Sequence, residues 1–261
     1  ERLLDEPMKV LIRVTPGVKP STHDFITTGQ LDSKFGFGMG DATGAAAAIR
    51  RVLASDKLDL VGLHAHIGSQ IFELEPYRLA IAALGELAGD WCKVVDVGGG
   101  LGVAYTEEDR PPAIDDYIGV KVQGVREVFG DGVRILVEPG RSLVANAGVT
   151  AYRVGTVKEI PGVRTYIAVD GGMSDNLRPM LYGSRYEALI AARAAADPDT
   201  TVTVAGKHCE SGDVLVRDAL LAAPAVGDVL VTPATGAYGH AMANNYNGVT
   251  RPPVIFCRDG K

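Results

Sequence analysis

The chain has little cysteine, no surplus of positive charge and no long apolar run, and each shortage removes a class of function. Its three cysteines, Cys92, Cys209 and Cys257, are an odd set scattered over 261 residues, so they do not form a disulfide framework. Acidic residues outnumber basic ones by 32 to 26, for a net charge of −6, whereas a nucleic-acid or acidic-membrane surface would require a basic stripe. No apolar run approaches the roughly 18 residues that span a bilayer. The opening "ERLLDEPMKV" has no charged-then-apolar signal layout. Internal repeats and low-complexity tracts are also lacking, apart from alanines that a helix accounts for. The cytosol is the expected compartment, with neither nucleic acid nor membrane as partner.

What is there suits a globular enzyme. Hydrophobic residues make up 46% and charged residues 22%, enough to bury a real core. Residues 1–148 alternate β-rich runs with helical stretches. "KVLIRVTPG", "LVGLHAHIGS", "KVVDVGGG" and "VRILVEPGR" read as strands. Between them Asp41–Asp56, Tyr77–Gly89 and a segment within Ile114–Phe129 read as helices. Continuous Val/Ile/Leu strands joined by helices imply a parallel sheet covered on its faces. A (β/α)8 barrel needs eight such units, and this stretch supplies four. From about Thr150 the pattern turns to β-rich segments separated by Gly, Pro and Asp: "AYRVGTVKEI", "RTYIAVDGG", "TVTVAG" and "GDVLVTPATG", with one helical stretch near Tyr186–Ala196. That spacing implies a mostly antiparallel domain over 149–261. The final "VIFCRDGK" carries a DG turn that normally returns a partner strand, so this domain is expected to be incomplete at its end.

Three strands end in chemistry-bearing signatures: His64, His66, Gly68 and Ser69; then Gly98–Gly102; then Glu138–Arg141. In parallel α/β folds functional residues gather at the C-terminal ends of strands. Taken singly, each has an ordinary reading. A glycine triplet is often just a tight turn, although its amides can approach a phosphate. It matches neither the P-loop nor the dinucleotide fingerprint. His64 and His66 share a strand face and could hold zinc, but no third ligand has the usual spacing. "GKHCESGDVL" sets His208, Cys209 and Glu210 side by side. From the residues alone that could be a metal site, a nucleophile with its base, a proton donor or an accident of a turn.

Taken together and in order, "HAHIGSQ", "VDVGGGLG", "VEPGR", "VDGGMSDNLRPMLYG", "GKHCESGD" and "ATGAYG" closely resemble the diaminopimelate decarboxylases. These belong to the alanine-racemase-like, fold-type III group of pyridoxal-phosphate enzymes. The resemblance implies the second half of a (β/α)8 barrel over 1–148, followed by the C-terminal β domain. It also implies a homodimer with active sites at the subunit interface and a small amino-acid substrate. It places His66 against the pyridine ring of pyridoxal 5'-phosphate and Glu138 at the ring nitrogen. The phosphate falls to Ser69, the backbone of Gly98, Gly99 and Gly100, and the Gly140–Arg141 turn, with Tyr238 adding its phenol. Cys209 resembles the family's proton donor, reaching the neighbouring subunit's cofactor. An ordinary thiol, with a pKa near 8.5, keeps its proton at neutral pH, which suits that role. No metal is implied.

For substrate, Arg141, Arg178, Tyr182, Glu210 and Tyr238 match positions that contact it in the family. Diaminopimelate carries a distal carboxylate as well as a distal amine. Arginine's planar fork suits the carboxylate and Glu210 the ammonium. Related ornithine decarboxylases carry an acidic residue where this chain has Gly183. The expected reaction is decarboxylation of meso-2,6-diaminopimelate to L-lysine, the last step of lysine synthesis. The alternatives are a decarboxylase of ornithine, arginine or a carboxy-polyamine, or a non-catalytic regulatory homologue. Family members also anchor the cofactor on a lysine in a segment like Y-x-x-K-A-N, and none occurs here. The sequence therefore reads as a fragment that alone would bind cofactor weakly and not turn over.

Overall fold

A computed structural model of the protein describes residues 5–18, 33–40 and 42–260. The chain divides into two compact units, the first comprising 1–103 and 110–142 and the second 104–109 and 143–261. Asp41, the expected start of the first helix, lies outside the described residues.

The first unit is built on strands β1 (Met8–Thr15), β2 (Phe37–Gly38), β3 (Leu58–His64), β4 (Val94–Asp96) and β5 (Arg134–Leu136). They form one parallel sheet in the order β2-β1-β3-β4-β5. Helices α1 (Ala45–Leu53), α2 (Glu75–Gly85) and α3 (Ile114–Phe129) supply the crossovers, as parallel pairing requires. This is an arc of a (β/α)8 barrel. Its strands carry β-branched and leucine side chains: Ile12, Val14, Leu60, Leu63, Val95 and Val97 are buried against Ile49, Ile81, Leu84 and Val125 from the helices. A second cluster, Ile67, Ile71, Tyr77, Ala80, Leu101 and Tyr117, lies under the tips of β3 and β4. α2 opens with Pro76 in its first turn, where the missing N–H costs nothing. α3 stops at Gly130, whose φ of 77° ends the helix at a residue free to turn left-handed. A four-residue helix, α4 (Arg141–Val144), follows β5.

The second unit carries β6 (Thr150–Ile160), β7 (Arg164–Val169), α5 (Arg178–Tyr182), β8 (Leu189–Ile190), β9 (Thr200–Ala205), β10 (Val214–Leu221), β11 (Val229–Thr232) and α6 (Gly239–Met242). The sheet order is β10-β9-β7-β6-β11-β8. All neighbours are antiparallel except β7 and β9. The helix expected near Tyr186–Ala196 does not form. Leu189 and Ile190 pair with β11 instead, burying Ile190 to 1% exposure, and only a 3-10 turn at Ala191–Arg193 remains. Sheet pairing and burial outweigh the alanine propensity of so short a segment. No strand follows β11 among the described residues; 251–257 are without regular structure.

Candidate active site

The C-terminal ends of β3, β4 and β5 bring the predicted residues of the first unit together. Glu138 lies two residues past β5, and its carboxylate contacts His64 Nε2 at 3.1 Å. The Glu138 side chain keeps half its surface exposed while His64 is largely covered. The Glu138 amide donates to the Gly98 carbonyl at 3.0 Å, which fixes where the acid leaves the sheet. Asp96, at the end of β4, is buried and accepts the Gly98 amide at 2.9 Å. Among the described residues His64, Asp96 and Glu138 form a set close enough to share a metal ion, but His64 and Glu138 already bond to each other.

His66 stands beside this pair. The Gly99 amide donates to His66 Nδ1 at 3.2 Å, so that nitrogen acts as an acceptor and the ring is neutral with its hydrogen on Nε2. Burial, aided by Arg13, pushes the His66 imidazole down to about 4. A neutral, half-covered ring offers a flat face for stacking. The same shift has a measurable consequence. Between pH 6.5 and about 4 the unfolded chain binds a proton that the folded chain refuses, so this contribution is present above pH 6.5 and lost as pH falls through 4. The expected loss is about 3 kcal/mol, read from urea midpoints against pH, and His66→Asn should flatten that part of the curve.

Glycine is required at the triplet for want of space. A Cβ on Gly98, Gly99 or Gly100 would lie 2.5 Å from the Ala65 carbonyl, 2.1 Å from the Glu138 carbonyl and 2.6 Å from the Gly68 carbonyl. Gly98 and Gly100 also have positive φ, 63° and 108°. Of the three amides expected to face a phosphate, those of Gly98 and Gly99 are engaged by Asp96 and His66. Among the described residues no hydrogen bond engages the Gly100 amide, which leaves it as a donor of the loop.

Beside the loop, buried Arg141 donates from Nη2 to the Ser69 hydroxyl at 2.9 Å, joining two predicted phosphate residues. Gln70, left-handed at φ 59°, pins the Ser69 turn through reciprocal bonds with Val103 at 2.7 and 3.1 Å. Gly140 is exposed ahead of α4.

The remaining predicted residues belong to the second unit. The Cys209 turn is braced from within by Asp213, which is buried and accepts the amides of Met173 at 2.6 Å and His208 at 2.8 Å. Gly206 leaves room for that carboxylate, since a Cβ there would lie 2.2 Å from it. His208 is buried and bonded to Ser174 at 2.8 Å. It therefore supports the turn, and Cys209 beside it is exposed. Glu210 accepts a short bond from the Tyr246 phenol, and this bond raises the phenol's pKa. Tyr238 is 45% exposed and sits left-handed at φ 65° ahead of α6, a strained position for a bulky residue. Arg178 is no surface residue. Its guanidinium is buried, bonded to the Tyr186 hydroxyl and laid 4.6 Å over the Tyr105 ring. Tyr182, half-buried, ends the same short helix. A cavity of about 780 Å³ in this unit is lined by Pro179, Met180, Tyr186 and Leu220 among others, and by none of the predicted site residues.

Sequence reading gave no role to Tyr105, Tyr246 or Lys121, and it named His64 without its carboxylate partner. Lys121 is fully buried. Its Nζ donates to the carbonyls of Val97 and Gly98 and to the Tyr117 hydroxyl, at 3.0, 2.9 and 2.6 Å. Burial pushes the ammonium down to about 7, with Asp96 and Glu138 opposing the shift.

The crowded glycine tips, the half-exposed Glu138, the neutral His66 ring and the Ser69–Arg141 pair supply what a phosphorylated pyridine needs: hydrogen-bond donors, an apolar face and a carboxylate. Comparison with known proteins agrees. Residues 1–145 match the family described as pyridoxal-dependent decarboxylase, pyridoxal binding domain. The chain is 48% identical to a diaminopimelate decarboxylase of Bacillus subtilis, over 97% of this chain and 60% of the relative. A diaminopimelate decarboxylase of M. jannaschii solved with L-lysine superposes with a TM-score of 0.84 at 34% identity, over 95% of this chain and 58% of that one. The Helicobacter pylori enzyme, also solved with L-lysine, gives 0.81 at 32%, over 92% and 59%. The chain thus spans about 60% of the length of these relatives. No described helix is long and apolar enough to cross a membrane. The fold is that of the alanine-racemase-like group, a partial (β/α)8 barrel with a β domain, the cofactor is pyridoxal phosphate, and the chain belongs to the pyridoxal-dependent decarboxylase family.

Proposed function

We propose that the protein acts within a carboxy-lyase that converts meso-2,6-diaminopimelate to L-lysine. The observation that carries the reading is the meeting of Glu138, His66, Ser69 and Arg141 at the strand tips of one unit, in a chain 48% identical to a diaminopimelate decarboxylase. When bound, pyridoxal phosphate supplies a ring that accepts the electrons left as carbon dioxide departs. Glu138 holds a proton at the ring nitrogen, and His64 holds Glu138. His66 presents a neutral face, which shields the ring without adding a competing charge. Ser69, the Gly100 amide and the Gly140–Arg141 turn hold the phosphate.

Cys209 Sγ carries the proton returned to the α-carbon. It reaches the second subunit of a homodimer, so the active site is shared between protomers. Glu210 takes the distal ammonium, and the Tyr246 phenol orients its carboxylate. Arg178 favours an acid with a distal carboxylate. Its fork is ordered in advance by Tyr105 and Tyr186, so little side-chain entropy remains to be lost on binding.

The test is product analysis on the complete polypeptide with pyridoxal phosphate. Lysine and carbon dioxide are expected from meso-diaminopimelate, with little turnover of ornithine or arginine. Equal turnover of ornithine would overturn the substrate assignment.

A further inference from the structure

Lys121 has no place in the proton path or in the substrate contacts described above, yet it is among the most completely buried side chains of the first unit. A buried lysine is rare unless paired, and among the described residues no carboxylate lies within ion-pair distance of it. It is instead surrounded by dipoles and ring faces. The carbonyls of Val97, Gly98 and Gly99 lie 3.0, 2.9 and 3.4 Å from Nζ. The Tyr117 hydroxyl lies at 2.6 Å, and the Tyr117 and Tyr77 rings at 4.2 and 4.6 Å. An apolar side chain of similar length would fill the space with less desolvation penalty, but it would take the ammonium donor from the Val97 and Gly99 carbonyls and leave the Gly98 carbonyl with the Glu138 amide alone.

The direction of the three carbonyls matters most. In a trans peptide the C=O and the following N–H point opposite ways. Drawing Val97, Gly98 and Gly99 carbonyls to one ammonium therefore turns the amides of Gly98, Gly99 and Gly100 to the other side. The first meets Asp96 and the second meets His66 Nδ1. The third is the loop's outward donor.

We propose that Lys121 is a positioning residue of the phosphate cradle: from behind the glycine turn it aims the Gly100 amide at the phosphate and holds the Gly99–His66 bond in place. The inference rests on the cofactor cradle proposed above. It adds a lysine that touches neither cofactor nor substrate but sets the donor geometry of both the loop and the ring-stacking histidine.

The experiment compares pyridoxal phosphate with pyridoxal, which lacks the phosphate, by equilibrium binding to the complete polypeptide and its Lys121→Met and Lys121→Gln variants. The native protein should prefer the phosphorylated form. Lys121→Met should lose about tenfold or more of that preference, the scale of one well-aimed bond to a charged group, while pyridoxal binding changes little. Lys121→Gln, which keeps a donor, should recover part of the loss. Should the methionine variant fail to fold, the glutamine variant decides, with an intermediate preference expected. An unchanged ratio in a folded variant overturns the role of Lys121. A native protein without any preference for the phosphorylated form overturns the cradle itself, so the two failures are distinct.

Discussion

Replacing Cys209 with alanine is expected to lower kcat for diaminopimelate by about 10²–10⁴-fold, the usual contribution of a positioned proton donor. The turn that carries the thiol does not depend on it. Asp213 ties the backbone through the amides of Met173 and His208, His208 is anchored on Ser174, and the cysteine is exposed. Removing Sγ should therefore leave stability, cofactor binding and KM near their native values. The fall in kcat would then come from the reaction alone. Turnover in heavy water gives a second readout. The native enzyme should deliver deuterium to one face of the α-carbon, and the variant should deliver it slowly and with less facial preference. A native kcat in Cys209→Ala would remove the thiol from the proton path.

Glu138→Gln should cost about 10²–10³-fold in kcat, in line with the loss of one preorganised electrostatic group. Glutamine keeps the length of the side chain and can still meet His64. The backbone anchor to the Gly98 carbonyl at 3.0 Å is untouched. What disappears is the negative charge proposed to hold a proton on the ring nitrogen, on which the ring's capacity to take up electrons would depend. Cofactor affinity should fall far less than kcat, and His64→Ala, which frees the carboxylate without removing it, should fall between the native protein and Glu138→Gln. Equal losses in affinity and kcat would recast Glu138 as a binding residue only.

The parts of this molecule legible in its sequence are those whose signal is local. β1, β3, β4 and β5 show as short Val/Ile/Leu runs, with β3 and β4 the best covered of the four, and α3 spans Ile114–Phe129, the segment expected to hold a helix. The strand-tip motifs showed because glycines, histidines and Glu138 stand where strands end. β10 was hidden. Arg217 and Asp218 interrupt its apolar pattern, and Asp218 takes a φ of 52° at a shift in register, so the bulge that makes the strand possible also masks it. Leu189 and Ile190 were hidden in another way, since only their pairing with β11 makes them a strand. Lys121 was illegible because a charged residue on an amphipathic helix ordinarily faces water. Its burial depends on the β4 carbonyl turn, which is remote in sequence. Tyr105 and Tyr246 gain meaning only from Arg178 and Glu210, and no spacing rule connects them.

The short excursion at 104–109 bears on how the gene can be divided. Its six residues belong to the second unit, although first-unit segments precede and follow them. Tyr105 lies under Arg178, the Glu107 amide donates to Glu187, and Glu108 meets Arg185. A truncation that keeps only 143–261 would strip one aromatic face from a buried guanidinium, and one that keeps only 1–142 would leave a tyrosine without its cation. A chimera between relatives should therefore take the Ala104–Asp109 stretch from the same parent as the C-terminal sheet, rather than from the parent that supplies the flanking barrel.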